Sequence, residues 1–147
     1  MYQFNKVSLR LVSEKTYEYN PTIIRNSIDV VKFIDDMEDI RNHTGERVYC
    51  IAMNTKNNII SFSQIAQGGV NTCDIDIKEL FKTILLCNAS KFILVHNHPS
   101  GDSTPSKNDY HTTEKVKEAS KIMNIEFLDH IVVAQNGYTS CYNIEGR

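Results

Sequence analysis

The 147-residue sequence contains few of the residues that mark specialised classes of protein. Six glycines and three prolines exclude a collagen-like or low-complexity chain. Lysine and arginine together number 16 against 18 aspartates and glutamates, so the formal net charge is −2. The chain therefore lacks the excess of positive charge that draws proteins to nucleic acids, and nucleic-acid binding is unsupported by charge.

Cysteine pairs and long apolar runs are also missing. The longest uninterrupted apolar run, Val48–Met53, is far shorter than the roughly 20 residues that cross a bilayer. The first 11 residues contain no apolar core of a signal peptide. We therefore predict a cytoplasmic protein without a membrane partner. No C-x-x-C pair suggests a zinc knuckle or redox site, and we expect reduced thiols at all four cysteines, which are Cys50, Cys73, Cys87 and Cys141.

The length predicts one domain comprising residues 1–147, and the hydrophobic pattern predicts an α/β fold. Helical spacing favours a helix that starts at Ser27 as its N-cap and buries one apolar face. Thr104 as N-cap and Pro105 at the first helical position predict another helix that runs to about Met123. A third helix is predicted over Ile77–Leu86.

The predicted strands form a mixed sheet on which about three helices pack. Polar residues between two apolar segments predict hairpins, and Gly68 with Gly69 predicts a further turn. Phe92–Val95 is short and continuously apolar, which is typical of a strand buried on both faces. The other predicted strands are Val7–Leu11, Val48–Met53, Ile59–Ile65, Phe127–Ala134 and Tyr138–Tyr142.

The segment that follows Val95 carries a candidate metal site. In an extended chain, residues i and i+2 point to the same side, so His96 and His98 can present both imidazoles to one cation. Asp109, in the first turns of the next predicted helix, supplies a candidate third ligand, and Asp102 is its substitute. Two histidines, one carboxylate and an open position for water form the catalytic pattern of zinc rather than the structural one.

The letters HNHPSGDSTPSKND from His96 to Asp109 resemble the JAMM motif of the JAB/MPN metalloprotease superfamily, and specifically its RadC-type branch. The segments around Glu46 and Leu128–Val132 are similar to the family as well, so the resemblance covers residues 45–142. It implies that His96, His98 and Asp109 ligate Zn²⁺. It further implies that Ser106 hydrogen-bonds the oxyanion, and that Glu46 is the general acid and base.

The resemblance also implies a mixed, curved sheet of the cytidine-deaminase-like type and hydrolysis of an amide or isopeptide bond in a peptide or protein. The sequence lacks the glycine-centred helix-hairpin-helix region of full-length RadC proteins. The alternative function is a non-catalytic zinc-binding RadC-like module that binds DNA or protein in DNA repair or mobile-element biology. An exposed edge strand would make a homodimer plausible.

Two further points concern histidines. His130 and Asp129 could form a carboxylate–histidine pair beside the metal. The apolar residues Ile131–Val133 favour instead a structural place in a core strand. The sequence lacks the H-x-E and P-C-x-x-C motifs of zinc deaminases.

Overall fold

The computed structural model describes residues 1–8, 10–20, 23–68 and 74–142. A five-stranded sheet forms its centre, with a helix on one face and two helices on the other. The elements in chain order are α1 (Ser27–Glu38), a 3₁₀ turn (Ile40–Asn42), β1 (Arg47–Met53), β2 (Ile59–Gln67), α2 (Ile77–Leu86), β3 (Lys91–Asn97), α3 (Lys107–Met123), β4 (Glu126–Ala134) and β5 (Gly137–Ser140).

The strand order is β2-β1-β3-β4-β5. Strands β3 and β4 are parallel, and the other neighbours are antiparallel. The parallel pair is joined through α3, because parallel neighbours need a long crossover connection. This arrangement confirms the predicted α/β fold with a mixed sheet and three helices.

Alternating side chains of the sheet build two apolar clusters, one on each face. On β3, Ile93 and Val95 face the cluster that contains α1, whereas Phe92 and Leu94 face the cluster beneath α2 and α3. His96 continues the alternation of Phe92 and Leu94. It therefore points towards the face that carries α3, which brings its ring to the start of that helix.

Helix α1 confirms the predicted helix, although its first turn differs from the prediction. Asn26, rather than Ser27, is the N-cap, because the Asn26 side chain accepts a hydrogen bond from the N–H of Asp29 at 3.0 Å. Asp39 has a left-handed backbone with φ 48°, which ends the helix. Ile40 is therefore not part of α1. It lies in the following 3₁₀ turn, where its side chain is buried.

The predicted strand at Val7–Leu11 is wrong for the residues described there, since Val7, Ser8, Arg10 and Leu11 lie outside any strand. Val7 is 84% exposed. The alternation of apolar and polar residues determines which face of a strand is apolar. A strand also needs a neighbouring strand to which its backbone can hydrogen-bond. Three residues that these predictions include lie outside the described residues. They are Leu9 in this strand, Gly69 in the turn and Cys73 among the thiols.

The described cysteines Cys50, Cys87 and Cys141 are free thiols, as the sequence predicted. Burial raises the pKa of Cys50 well above its usual range. None of the helices in the described part of the chain contains an apolar stretch that could span a bilayer.

Candidate metal centre

The two histidines of the motif lie at the carboxyl end of β3. His96 is its penultimate residue, and His98 follows the strand directly. The Nε2 atoms of the two imidazoles are 2.9 Å apart, as the alternation of an extended chain predicts. His96 is 3% exposed and His98 is 12% exposed, so one ring lies in the interior while the other borders solvent.

Asp109 reaches the same point from the first turn of α3. One carboxylate oxygen, Oδ1, lies 3.3 Å from Nε2 of His96, and Oδ2 lies 3.3 Å from Nε2 of His98. The backbone N–H of Ser106 donates to Oδ2 at 2.6 Å, which holds the carboxylate in this orientation. The three side chains therefore offer one ligand atom each within a small triangle.

The dimensions of this triangle fit a small divalent cation. Tetrahedral zinc with bonds of about 2.0–2.1 Å separates its ligand atoms by about 3.3 Å, close to the distances between the carboxylate oxygens and the imidazoles. His96, His98 and Asp109 thus form a possible metal site, and three protein ligands leave one coordination position open. Both His98 and Asp109 are partly exposed, so the open position is accessible from solvent.

The pKa shifts of the candidate ligands also favour the binding of a cation. Burial acts to raise the pKa of Asp109, but hydrogen bonds from His96 and His98 outweigh it and hold that pKa far below its usual range. The hydrogen bond to Asp109 raises the pKa of His98, and burial opposes the rise. The carboxylate therefore stays ionised and attracts positive charge to the triangle.

Each histidine is also held from behind through its Nδ1 atom. His98 Nδ1 lies 2.9 Å from the carbonyl oxygen of Asp102. Since a carbonyl oxygen only accepts, Nδ1 of His98 carries a proton and Nε2 is the ring nitrogen that faces the triangle. His96 Nδ1 lies 2.7 Å from Nε2 of His130.

Glu46, the predicted general acid and base, lies one residue before β1 and is half-buried. Burial raises the pKa of Glu46, whereas the positive charge of His96 and His98 acts to lower it and Asp109 raises it further. Its carboxyl group therefore interacts electrostatically with all three candidate ligands. Val48, two residues after Glu46, pairs with His96 across β1 and β3, so Glu46 belongs to the segment next to the candidate ligands.

Asn97 fixes the backbone on both sides of Glu46, a contact that the sequence did not predict. The side chain of Asn97, which is 1% exposed, accepts from the N–H of Arg47 at 2.8 Å and donates to the carbonyl of Gly45 at 3.1 Å. A Cβ atom at Gly45 would lie 3.1 Å from the carbonyl oxygen of Gly68, so the backbone is also closely packed there. The signal in the sequence was the position of Asn97 between two ligands, where alternation turns its side chain away from them.

Ser106 lies at the start of α3, which begins at a different residue from the one predicted. It is the N-cap, and its hydroxyl oxygen accepts from the N–H of Asp109 at 3.1 Å in a capping box. The prediction of Thr104 as N-cap is wrong, because the Thr104 hydroxyl donates to Asp102 instead. The bond from Asp109 uses the Ser106 oxygen as acceptor and leaves the hydroxyl hydrogen available.

Asp102, the predicted substitute ligand, does not join the triangle. Its carboxylate accepts from the N–H and the hydroxyl of Thr104, at 2.9 and 2.8 Å, and so stabilises the loop.

Asp129 does not pair with the ring of His130. Its Oδ1 accepts from the backbone N–H of His130 at 2.7 Å, while the ring of His130 contacts His96.

His130 therefore lies beside the metal site, although its apolar neighbours Ile131–Val133 favour a purely structural position. The side chain is 1% exposed. Burial, reinforced by the charge of His96, lowers the pKa of His130 to about 3, and Asp109 opposes this shift. His130 is consequently a neutral imidazole, able to donate from one ring nitrogen and accept at the other.

Comparison with known proteins agrees with the fold. The "UPF0758 protein" of Desulforamulus reducens is 41% identical over 118 residues, which cover 80% of this chain and 51% of the relative. The "UPF0758 protein" of Bacillus pumilus is 37% identical over 121 residues, with 82% and 53% covered. The chain spans about half the length of these curated relatives. A sequence profile described as "RadC-like JAB domain" matches residues 24–146, and the chain belongs to this family.

Proposed function

We propose that the chain is a zinc-dependent hydrolase of the JAMM type that cleaves an amide or isopeptide bond in a peptide or protein. The observation that supports this most directly is the triangle of ligand atoms from His96, His98 and Asp109 with one side open to solvent. Closed structural zinc sites use four protein ligands, whereas an open position is the catalytic arrangement.

His96, His98 and Asp109 would hold the ion. A bound zinc ion supplies a Lewis acid that polarises a carbonyl group and makes water nucleophilic near neutral pH. The buried ring of His96 and the two hydrogen-bonded ligands keep the three donor atoms in place before the ion arrives. The three side chains then need little rearrangement when the ion binds, and this raises their affinity for the ion.

Glu46 supplies the proton transfers. Its partial burial and raised pKa suit a carboxyl group that takes a proton from the attacking water and releases it again. The proton passes to the nitrogen of the scissile bond as the C–N bond breaks, so that an acid and an amine leave. Asn97 supports this role because it holds the backbone on both sides of Glu46.

Ser106 stabilises the negative charge that develops on the scissile carbonyl oxygen. Its hydroxyl hydrogen is available, and the residue is exposed next to Asp109 at the N-terminus of α3. Donors that are positioned before the reaction contribute more than mobile water does, because they need no reorientation.

The test compares Glu46→Gln with the matched control Glu118→Gln, an exposed position on α3. Both variants and the wild type are loaded with zinc and assayed on a panel of fluorogenic peptides and isopeptides. We expect Glu46→Gln to bind zinc normally and to lose about 10²- to 10⁴-fold in turnover, whereas the control keeps wild-type values. Undiminished turnover in Glu46→Gln would refute the assignment.

The same assay separates the hydrolase from the non-catalytic alternative. A hydrolase loses turnover with a chelator and regains it with added zinc. A chain that binds zinc, cleaves nothing in the panel and shows salt-dependent association with DNA would instead support the binding module.

A further inference from the structure

A continuous chain of hydrogen bonds lies behind His96, on the side away from the metal triangle. His96 Nδ1 is 2.7 Å from Nε2 of His130, and His130 Nδ1 is 2.7 Å from the hydroxyl oxygen of Thr113. The Thr113 hydroxyl is in turn 2.7 Å from the carbonyl oxygen of Asp109. All three of His96, His130 and Thr113 are at most 3% exposed, so water does not compete for these bonds.

The direction of each bond follows from the one fixed acceptor in the chain. The Asp109 carbonyl oxygen can only accept, so the single hydroxyl hydrogen of Thr113 points to it. The Thr113 oxygen must then accept from His130, whose proton is consequently on Nδ1. A second proton on His130 would create a buried cation whose ring nitrogens face only a hydroxyl and an imidazole, which burial strongly disfavours.

Nε2 of neutral His130 therefore carries a lone pair and accepts from Nδ1–H of His96. Because Nδ1 of His96 is used in this bond, Nε2 is the ring nitrogen that faces the triangle and is left to bind a cation. The chain of bonds starts at one ligand and ends on the backbone of another, Asp109. It thus fixes both the tautomer of His96 and the position of the helix turn that carries the carboxylate.

We propose that His130 and Thr113 are positioning residues that prepare His96 to bind a divalent cation through Nε2. The proposal rests on the metal site of the proposed function but does not require hydrolysis. The geometry of α3 and β4 produces the arrangement. Thr113 lies one helical turn after Asp109 on the same face, and β4 pairs in parallel with β3 so that His130 lies opposite Leu94, two residues before His96.

The first arm of the test is nitrogen-15 NMR of the histidine side chains in the metal-free wild-type chain. Long-range proton–nitrogen correlations distinguish the two neutral tautomers of each ring. We expect Nδ1 of His96 and Nδ1 of His130 each to carry a proton. A His96 ring without a proton on Nδ1 would overturn the proposal whether or not any variant folds.

The second arm measures zinc affinity by competition with a chromophoric chelator. Thr113→Val removes the hydroxyl at nearly constant shape, Thr113→Ser retains it, and Ser120→Ala is the matched control. The Ser120 hydroxyl is also buried on α3 and also bonds a backbone carbonyl, that of Lys117, but it lies two turns away. Circular dichroism verifies the fold of each variant.

We expect Thr113→Val to weaken zinc binding by about 10- to 100-fold and to give a mixture of His96 tautomers. Thr113→Ser and Ser120→Ala should keep wild-type affinity. Equal affinity and an unchanged tautomer in a folded Thr113→Val chain would overturn the proposal. Neither arm measures hydrolysis, so a chain that shows this pattern and cleaves no substrate would contradict the proposed function alone.

Discussion

At the scale of single residues, the alternation of side chains along β3 gives neighbouring residues different functions. His96 and His98 point to the metal triangle, and Asn97 between them turns to the residues beside Glu46. One strand end thus positions two candidate ligands and the candidate proton carrier together. Because the contact of Asn97 is with backbone atoms, it constrains Glu46 without touching its carboxyl group.

Replacing Asn97 by alanine should affect both stability and turnover. The substitution leaves the N–H of Arg47 without its acceptor, which costs about 1–3 kcal/mol in the free energy of unfolding. Urea denaturation measures this loss, and the peptide assay should show lower turnover with zinc affinity retained. Asn108→Ala, at an exposed position, serves as the control. A wild-type value for both quantities in Asn97→Ala would show that the contact does not position Glu46.

The residue spacing in the motif predicted the convergence of His96, His98 and Asp109, since alternation and the first turn of a helix are local geometry. The contact between His96 and His130 could not be predicted in the same way. It depends on the register between two parallel strands whose residues are 34 positions apart in the sequence. A single sequence carries no local signal for that register.

At the scale of elements, the N-terminus of α3 is the feature that brings the third ligand to the strand end. The Ser106 and Asp109 pair forms a capping box, which satisfies two N–H groups that a helix start leaves unpaired. The sequence predicted the helix but placed its cap at Thr104, because Pro105 is favoured at the first helical position. The reciprocal pair of Ser106 with Asp109 outweighs that preference.

Two substitutions at Ser106 separate capping from catalysis. Ser106→Ala removes the cap, which should cost about 0.5–2 kcal/mol in the free energy of unfolding, and it also removes the hydroxyl donor. Ser106→Asp restores a capping oxygen but offers no donor to a developing oxyanion. We expect both variants to lose turnover and only Ser106→Ala to lose stability, as measured by urea denaturation and the peptide assay. Full turnover in Ser106→Asp would contradict the oxyanion role.

At the scale of the whole molecule, the metal triangle joins the carboxyl end of the central strand β3 to the helical layer. Its ligands come from the end of β3 and from α3, which otherwise meet through the apolar cluster that contains Phe92, Leu94 and Val116. A cation bound only by the folded chain stabilises it by mass action. The layered fold was predictable because segments with the apolar pattern of strands alternate along the chain with segments of helical spacing. The wrongly predicted strand at Val7–Leu11 had the alternation of a strand but, among the described residues, no neighbouring strand to pair with.

Zinc should therefore raise the stability of the wild-type chain and not that of a ligand variant. A free zinc concentration of about 100 times Kd corresponds to about 2.7 kcal/mol, which appears as a higher Tm in a thermal melt. A chelator should reverse the shift. His98→Ala, which removes one ligand, should melt at the same temperature with and without zinc. An equal shift in His98→Ala would place the stabilising ion elsewhere.

The most direct test of the central claim is anomalous diffraction at the zinc absorption edge from crystals of the wild-type chain grown with zinc. We expect one peak about 2.0–2.1 Å from Nε2 of His96, Nε2 of His98 and a carboxylate oxygen of Asp109. The peak should disappear in crystals of His98→Ala. A wild-type crystal without a peak at this triangle, or with zinc bound through other side chains, would contradict the claim.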